Sequence, residues 1–294
     1  MELRQLRYFA AVAEACHFSR TAAQLHIAQP ALSQAIRQLE NELGATLLVR
    51  TTRRVSLTAA GEFFLGETRR ILEAVDASVR GVRKIADGWV GLVRLGLTGT
   101  AAHTHLPLIA RTVQHSLPSI ALEIHADLVT PVQCDRLREG TLDLAVLRPP
   151  VVGEGIEART FATEELAVAL PSSHPLSARA SIRLEDLADQ DFIAYAAPDS
   201  VVNAAVFHAC QAVGFAPRRA HTAQGTAVLL ALVAAGLGLA VLPAGVRAVP
   251  FEGAVFRDLE NAGSVELALA WRRGDENPAL SAVMSALDAE LAAA

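Results

Sequence analysis

The stretch IAQPALSQAIRQLENELG, residues 27–44, has the pattern of an amphipathic helix. Pro30 fits the first turn of such a helix, and Gly44 fits the position just after its last turn. Apolar residues at helical spacing predict one buried stripe, which consists of Leu32, Ala35, Ile36, Leu39 and Leu43. The opposite face carries amides, a hydroxyl and a guanidinium, but no acid: Gln29, Ser33, Gln34, Arg37, Gln38 and Asn41. A solvated face usually mixes Glu and Lys, so this face is predicted to contact a partner.

Two helical patterns precede this helix, and two short strands follow it. Residues 3–13 have helical spacing, and Ser19 is a suitable N-cap for a second helix that contains Ala22 and Ala23. A tight turn then leads to the quoted helix, which together with the preceding one predicts a helix-turn-helix. Residues 47–50 and 54–57 predict a β-wing. Three arginines lie close to its tip, namely Arg50, Arg53 and Arg54.

This polar face and this wing suit double-stranded DNA. Gln and Ser can pair with base edges in the major groove, Arg with guanine, and the small Ala31 can contact a thymine methyl group. Arginines on the wing would hold phosphates and fix the register. Residues 1–90 hold 12 Lys+Arg and 9 Asp+Glu, whereas residues 91–294 hold 14 and 22. A basic N-terminal part on an acidic body predicts contact with a polyanion. The alternative is a polar solvated helix beside a basic loop.

The region from residue 58 to residue 88 contains no proline and predicts one long helix with Thr58 as its N-cap. Its seam residues step by three and four alternately, as in paired helices. They are Leu65, Thr68, Leu72, Val75, Val79, Val82 and Ala86. The flanks of the seam are charged, so we expect two chains to pair along it. The alternative is that the seam packs against the body of the same chain.

From about Gly91 onward, short strands alternate with helices, which predicts an α/β body of two lobes. The expected strands are residues 92–97, 120–124, 142–147, 166–170, 192–195, 239–242 and 266–271. The expected helices are residues 106–115, 134–139, 201–213, 226–235 and 278 to near the end. We expect a DNA-binding domain at 1–58, a linker helix at 59–89 and an effector domain at 90–294. Lobe I would span about 90–161 and 266–294, and lobe II about 162–265. The crossings would lie near residues 149–155 and 261–263.

The sequence disfavours several other classes of protein. No run of about 18 apolar residues lacks charges or breakers, and no export signal opens the chain, so we expect a cytoplasmic protein without a membrane span. The three cysteines match no metal spacing and are expected to be reduced core thiols: Cys16, Cys134 and Cys210.

Catalytic and cofactor motifs are also missing from the sequence. The pair His103 and His105 has no further metal ligand close in sequence. No Gly-x-Ser-x-Gly elbow and no complete dinucleotide fingerprint occur. We therefore expect no metal, no cofactor and no enzymatic activity. Acids such as Asp143, Glu164 and Glu165 are expected to be solvated or to cap helices.

Polar side chains follow several predicted strands of the body, where open α/β sheets bind ligands. A hydroxyl and free N–H groups after strand 92–97, just before a helical stretch, suit a small anion. An arginine directly follows strand 142–147 and could give the same anion a charge-assisted bond. The candidates are Thr98, Thr100, Thr130, Arg148, Ser200 and Gln224. The alternative is ordinary helix capping for Thr100 and a surface charge for Arg148.

Four stretches carry a resemblance to a known family: LRQLRYFAAVAEACHFSRTAAQLHIAQPALSQAIRQLENELGATLLVRTTRRVSLTAAG, LPSIALEIHA, LREGTLDLAVLR and LVAAGLGLAVLP. They resemble the LysR-type transcriptional regulators, and the resemblance covers essentially the whole chain. It implies a winged helix-turn-helix, a long linker helix that pairs two chains, and a two-lobed effector domain like that of periplasmic binding proteins. The effector, a small molecule such as a carboxylate, would lie between the lobes.

The resemblance also implies partners and site residues. Such proteins bind an imperfect inverted repeat of double-stranded DNA as homodimers or homotetramers, and RNA polymerase is a candidate further partner. The family often has Ser where Ala28 stands and Arg where Gln34 stands. Its DNA-contacting positions fall here on Gln29, Pro30, Ala31, Ser33, Gln34 and Arg53. We expect an effector-responsive regulator of transcription; the alternative is a solute-binding protein or an enzyme with a fused helical head.

Overall fold

A computed structural model of the chain describes residues 1–50, 55–86, 90–151, 153–248 and 250–293. It divides into two compact units, Met1–Arg83 and Lys84–Ala294, which we call the head and the effector unit. Each unit has hydrophobic clusters of its own. Within the described ranges, no helix combines the length and the apolar character that crossing a membrane requires.

The head is a winged helix-turn-helix, as the sequence predicts. Its elements are α1 (Leu3–Ala15), α2 (Phe18–Gln24), α3 (Gln29–Leu43), β1 (Leu48–Arg50), β2 (Val55–Leu57) and α4 (Ala59–Ala86). β1 and β2 pair antiparallel. The stripe residues Leu32, Ile36 and Leu39 of α3 are fully buried against α1, α2, the wing and the start of α4. Apolar spacing therefore fixes which face of α3 remains exposed.

The helix ends confirm some of the sequence predictions and correct others. Gly44 ends α3 in the left-handed conformation, with φ of 65°, and Thr58 Oγ1 accepts a bond from Gly61 N at the start of α4. Ser19 is not the N-cap of α2, because the helix already begins at Phe18 and His17 Nδ1 accepts from Arg20 N at 3.2 Å.

Two residues that the sequence assigns to the core of the head lie outside it. Leu43 is 38% exposed, because it lies at the end of α3, where the helix passes the edge of the core. Cys16 is exposed at the C-cap of α1, whereas Cys134 and Cys210 are buried as expected.

The effector unit contains strands and helices that alternate along the chain. Its strands are β3 (Gly91–Leu97), β4 (Ile120–His125), β5 (Leu144–Leu147), β6 (Ile156–Pro171), β7 (Ser181–Arg183), β8 (Asp191–Tyr195), β9 (Arg218–Ala223), β10 (Ala240–Pro243), β11 (Ala254–Glu260) and β12 (Ser264–Arg272). Its helices are α5 (Gly99–Thr104), α6 (Leu106–Ser116), α7 (Thr130–Arg138), α8 (Val201–Ala212), α9 (Thr226–Ala234) and α10 (Pro278–Ala293). Short 3-10 turns add Pro175–Ala178, Leu184–Leu187 and Ala244–Ala248.

One strand runs through both lobes of this unit. The eight-stranded sheet has the order β4-β3-β5-β12-β6-β11-β7, and β10 also pairs with β6. β6 pairs with β12 over residues 156–165 and with β10 and β11 over residues 166–171. Residues from Ile156 onward are already paired with β12, so the boundary that the sequence places at about residue 161 lies within β6. The chain changes lobe inside β6 and returns at the start of β12.

Each lobe has helices on both faces of its part of the sheet. In lobe I, β3, β5 and β12 pack on α6 and α10 on one face and on α7 on the other. In lobe II, β6 and β10 pack on α8 and α9. β5 and β10 are buried at every position, as unbroken apolar runs predict.

The less regular parts of the unit differ from the sequence prediction. α7 begins at Thr130 and not near Cys134, since Pro131 is compatible with a first helical turn. β7, β9 and β11 were not predicted: β7 is only three residues long, and β9 exposes mostly polar residues. Asp143 is not solvated, because it is buried and accepts from the backbone N–H and the guanidinium of Arg94.

Candidate functional site

The exposed face of α3 carries the polar side chains that the sequence assigns to DNA contact. Gln29 Nε2 donates to Ser33 Oγ at 3.1 Å, so these two side chains are held together along the helix. The N-cap Ala28 makes no side-chain cap bond, as its side chain requires. Ser33 is half-buried, and the others are exposed: Gln29, Pro30, Ala31, Gln34 and Arg37. The face thus offers hydrogen-bonding groups of the kind that read base edges.

The wing is fixed to the C-terminal half of α3 by one carboxylate. Glu40 Oε1 accepts hydrogen bonds from Leu47 N at 2.9 Å and from Leu48 N at 3.1 Å. β1 ends at Arg50, whose backbone pairs with Val55. The predicted phosphate contacts Arg53 and Arg54 lie outside the described residues. The two hydrogen bonds from Glu40 therefore hold the start of β1 next to α3.

A cavity between the two lobes collects all six effector candidates. It has a volume of about 490 Å³, counted out to its open mouth. Its walls come from loops after β3, β4, β5 and β8, and from the loop after β9. The six candidates in its lining are Thr98, Thr100, Thr130, Arg148, Ser200 and Gln224. The rule that ligands bind beyond the carboxyl ends of strands thus identified residues that are distant in sequence and close in space.

Arg148 is not the free cation that the sequence predicts. Its side chain is 2% exposed, and Nη2 donates to Glu164 Oε2 at 2.5 Å and to Thr100 Oγ1 at 2.9 Å. Nη1 donates to Glu266 O at 3.2 Å. Glu164, expected to be solvated or to cap a helix, is only 10% exposed and neutralises this guanidinium. Arg148 therefore joins β5, β6 and β12 at the cavity wall.

The candidate hydroxyl groups differ in what they can still offer a ligand. Thr130 Oγ1 donates to Arg148 O at 2.8 Å and accepts from Arg148 N at 3.3 Å, so its hydrogen is already used. Thr100 Oγ1 accepts from Arg148 and keeps its own hydrogen, as does Ser200 Oγ, which accepts from Asn203 N at 3.2 Å. Within the described ranges, the side chains of Thr98 and Gln224 have no hydrogen-bond partner.

Two helices from opposite lobes begin at this cavity. α7 starts at Thr130 after an N-cap, Val129, that makes no side-chain cap bond, and α8 starts at Val201 after Ser200. Thr130, Ser200 and Val201 all line the cavity. The first N–H groups of a helix have no partner within the helix and carry partial positive charge. Two such ends facing one cavity favour an anionic group between them.

The sequence missed two polar residues of the cavity. Asp127 follows β4 and Tyr195 ends β8, so both obey the strand-end rule that identified the other candidates. Tyr195 Oη lies 2.9 Å from Thr226 Oγ1, and burial raises the pKa of this phenol to about 12. Asp127 has no hydrogen bond and no ion pair within the part of the chain that the structure describes.

A second, largely apolar groove adjoins the cavity. It shares Thr130, Ser200 and Val201 with the cavity and has a volume of about 670 Å³ counted to its open side. The remaining lining residues are Pro131, Cys134, Pro150, Pro198, Asp199 and Ala204. The cavity, which carries the polar candidates, and the apolar groove therefore share lining residues at the first turns of α7 and α8.

Known proteins match this arrangement over its whole length. Residues 3–62 match the model of the "bacterial regulatory helix-turn-helix protein, lysR family", and residues 86–292 match the "LysR substrate binding domain". The chain is 35% identical over 282 residues to the HTH-type transcriptional regulator AlsR of Bacillus subtilis (strain 168), covering 95% of this chain and 92% of that protein.

Solved structures agree with these matches. The crystal structure of CbnR, a LysR family transcriptional regulator, has a TM-score of 0.81 at 28% identity, covering 99% of both chains. Full-length CbnR complexed with its target DNA has a TM-score of 0.79 at 29% identity, covering 98% of this chain and 99% of that one. The chain is therefore not an enzyme, and it belongs to the LysR family of DNA-binding transcriptional regulators with an effector-binding domain.

Proposed function

We propose that the effector of this regulator is a small molecule with an anionic group, bound in the cavity between the lobes. The observation that carries the proposal is the meeting of two helix N-termini, those of α7 and α8, from opposite lobes. Thr98, Thr100, Ser200 and Gln224 would donate hydrogen bonds to the ligand. Thr130 and Arg148 would hold the loops in position, since their own polar groups are largely committed.

The proposed mechanism is a shift between two arrangements of the lobes. A ligand that contacts α7 in lobe I and α8 in lobe II stabilises the arrangement in which both ends are close. β6 passes through both lobes and β12 re-enters lobe I, so such a change would act as a rotation at these two strands. In a dimer or tetramer, the rotation would alter the spacing of the heads and thereby the bend of the bound DNA.

The partners follow from the same proposal. Two or four copies would bind an imperfect inverted repeat of double-stranded DNA, with α3 of each head in a major groove. A regulator bound beside a promoter is also positioned to contact RNA polymerase, which the proposal includes as a partner. The target is chromosomal DNA, so we infer that the protein acts in the cytoplasm.

The first test separates base reading from phosphate contact in the head. Gln34→Ala removes an exposed amide of α3 and should cost about 1–3 kcal/mol on the cognate operator only. Arg53→Ala should weaken binding to all duplexes and reduce the salt dependence of binding by about one unit in the log–log slope. Titrations of both variants against cognate and scrambled duplexes, at several salt concentrations, measure both effects. Equal losses on the two duplexes for both variants would contradict these roles.

The second test addresses the anion site without changing the helix cap. Ser200→Asp keeps an oxygen that can cap α8, because Asp and Ser are comparable N-caps, but it adds a negative charge to the cavity. The thermal stabilisation of the full chain by small carboxylates should therefore be lost in this variant. Ser200→Asn is the matched control, since it caps equally well without the charge and should retain most of the stabilisation. Equal stabilisation of Ser200→Asp and wild type would rule out an anion at this position.

A further inference from the structure

One carboxylate in the cavity is at odds with a purely anionic effector. Asp127 lines the cavity on the loop between β4 and α7, is exposed to it, and has no partner within the described ranges. Its carboxylate reaches across the mouth between the lobes. A Cβ atom on Gly99 of lobe I would lie 2.8 Å from Oδ1, and one on Gly225 of lobe II would lie 3.3 Å from Oδ2.

The backbone conformation of Asp127 explains why a short polar side chain stands there, but it does not explain the negative charge. Asp127 has a φ of 56°, in the left-handed region that Asn and Asp tolerate better than most residues. Asn would satisfy this conformation as well as Asp does. The negative charge is therefore a separate property of the site, and it can be removed without altering the requirements of the loop.

Among the lining residues that the structure describes, no free positive side chain offsets this charge. Among the described residues of its lining, the one arginine is Arg148, which Glu164 neutralises. An effector with nothing but negative charge would be attracted to the starts of α7 and α8 and repelled by Asp127. An effector that also carries an ammonium group would be attracted to both, since its two charged groups have opposite signs.

The apolar groove accounts for a third part of the ligand. It adjoins the proposed anion position, because Thr130, Ser200 and Val201 line both the cavity and the groove. Its lining includes Pro131, Pro150 and Pro198. Asp199 also lines the groove, on the loop before α8, but it does not line the cavity that contains Asp127. A hydrocarbon group attached next to the carboxylate would extend into this groove.

We infer that the effector is an amino acid with an apolar side chain. Its carboxylate would lie between the first turns of α7 and α8, its ammonium group would donate to Asp127, and its side chain would occupy the groove. This inference rests on the proposed anion site and adds to it a specificity-determining residue, Asp127. The carboxylate of Asp127 would distinguish an amino acid from the same acid without its amino group.

Matched pairs of probes test the inference on the full chain. The pairs are L-phenylalanine with hydrocinnamate and L-leucine with isocaproate, and L-glutamate with glutarate serves as the polar control pair. Calorimetric titration should show at least one apolar amino acid binding wild type about tenfold or more tightly than its deaminated partner. Asp127→Asn should reduce this advantage to about threefold or less, while binding of the deaminated acid stays the same or improves. Asp189→Asn removes an equal charge at an exposed residue that lines neither the cavity nor the groove, and it should leave the advantage unchanged.

The outcomes separate the inference from the proposed function. Binding of hydrocinnamate or isocaproate to wild type as tightly as its amino acid would overturn the inference and leave the anion site intact. An advantage that survives Asp127→Asn, or that is lost equally in Asp189→Asn, would also overturn the role of Asp127. Tighter binding of L-glutamate than of either apolar amino acid would overturn the role of the groove. A wild-type chain that binds no member of any pair would count against the anion site and against the inference together.

Discussion

Replacing Arg148 with methionine should destabilise the effector unit by about 3–5 kcal/mol, because it leaves a buried charge without its partner. Arg148 is 2% exposed and Glu164, the carboxylate it neutralises, is 10% exposed. The substitution also removes the donors to Thr100 Oγ1 and to Glu266 O. Urea denaturation of the full chain, followed by tryptophan fluorescence, measures the effect, since Trp89 and Trp271 both follow the head in sequence.

Two further variants make this result specific to the buried pair. Arg159→Met removes an arginine that pairs with Asp288 on the surface, where both side chains are nearly half exposed, and should cost about 1 kcal/mol or less. Arg148→Met combined with Glu164→Leu removes both buried charges and should recover most of the loss, since an apolar pair often replaces a buried ion pair at little cost. A loss for Arg148→Met no larger than that for Arg159→Met would show that the pair contributes little to the fold.

Placing aspartates at Leu72 and Val79 should separate paired chains. Both residues lie on the seam of α4, Val79 is 45% exposed, and Val82, one turn further, is 68% exposed. At Val79 and Val82 the chain leaves this apolar stripe uncovered, which favours pairing with a second copy along the helix. Four aspartates facing each other across such a pair should weaken association by more than about 3 kcal/mol, or over 100-fold. Light scattering across a concentration series should therefore report roughly half the wild-type mass.

The control for this experiment changes the charge by the same amount away from the seam. Ala74 and Ser78 lie on exposed positions of α4 outside the predicted seam. Ala74→Asp combined with Ser78→Asp should leave the mass unchanged. If the seam variant kept the wild-type mass, α4 would not be the pairing surface. If both variants lost mass equally, helix destabilisation would explain the result better than a lost interface.

Features that are set by local sequence patterns could be predicted, whereas features that depend on long-range strand pairing could not. The buried side of α3 follows from the spacing of Leu32, Ile36 and Leu39 alone, because the helical period is set within the segment. The cavity candidates came from another local rule, that ligands lie beyond strand ends. The length of β6 could not be read in this way, since residues 156–165 are strand only by virtue of their pairing with β12.

The pairing of charged side chains in the site could not be predicted from local sequence patterns either. Arg148 and Glu164 are 16 positions apart, and nothing between them in the sequence predicts that they form a buried pair. Asp127 escaped notice for a different reason, because an acid does not suit an anion site when that site is considered alone. The polar strand β9 depends likewise on its pairing with β8, which the local pattern does not contain.

The order of the strands also has a consequence for the making of the protein. Lobe I begins with β3, β4 and β5 but is completed by β12 and α10, near the end of the chain. The head has its own core and leaves the ribosome first. At about 5–20 residues per second, the remaining stretch of roughly 200 residues takes roughly 10–40 s to synthesise. During that interval the nascent chain carries a folded DNA-binding head without a complete effector unit to regulate it. An mRNA truncated before the codons of β12 would encode a DNA-binding head whose effector unit is never completed.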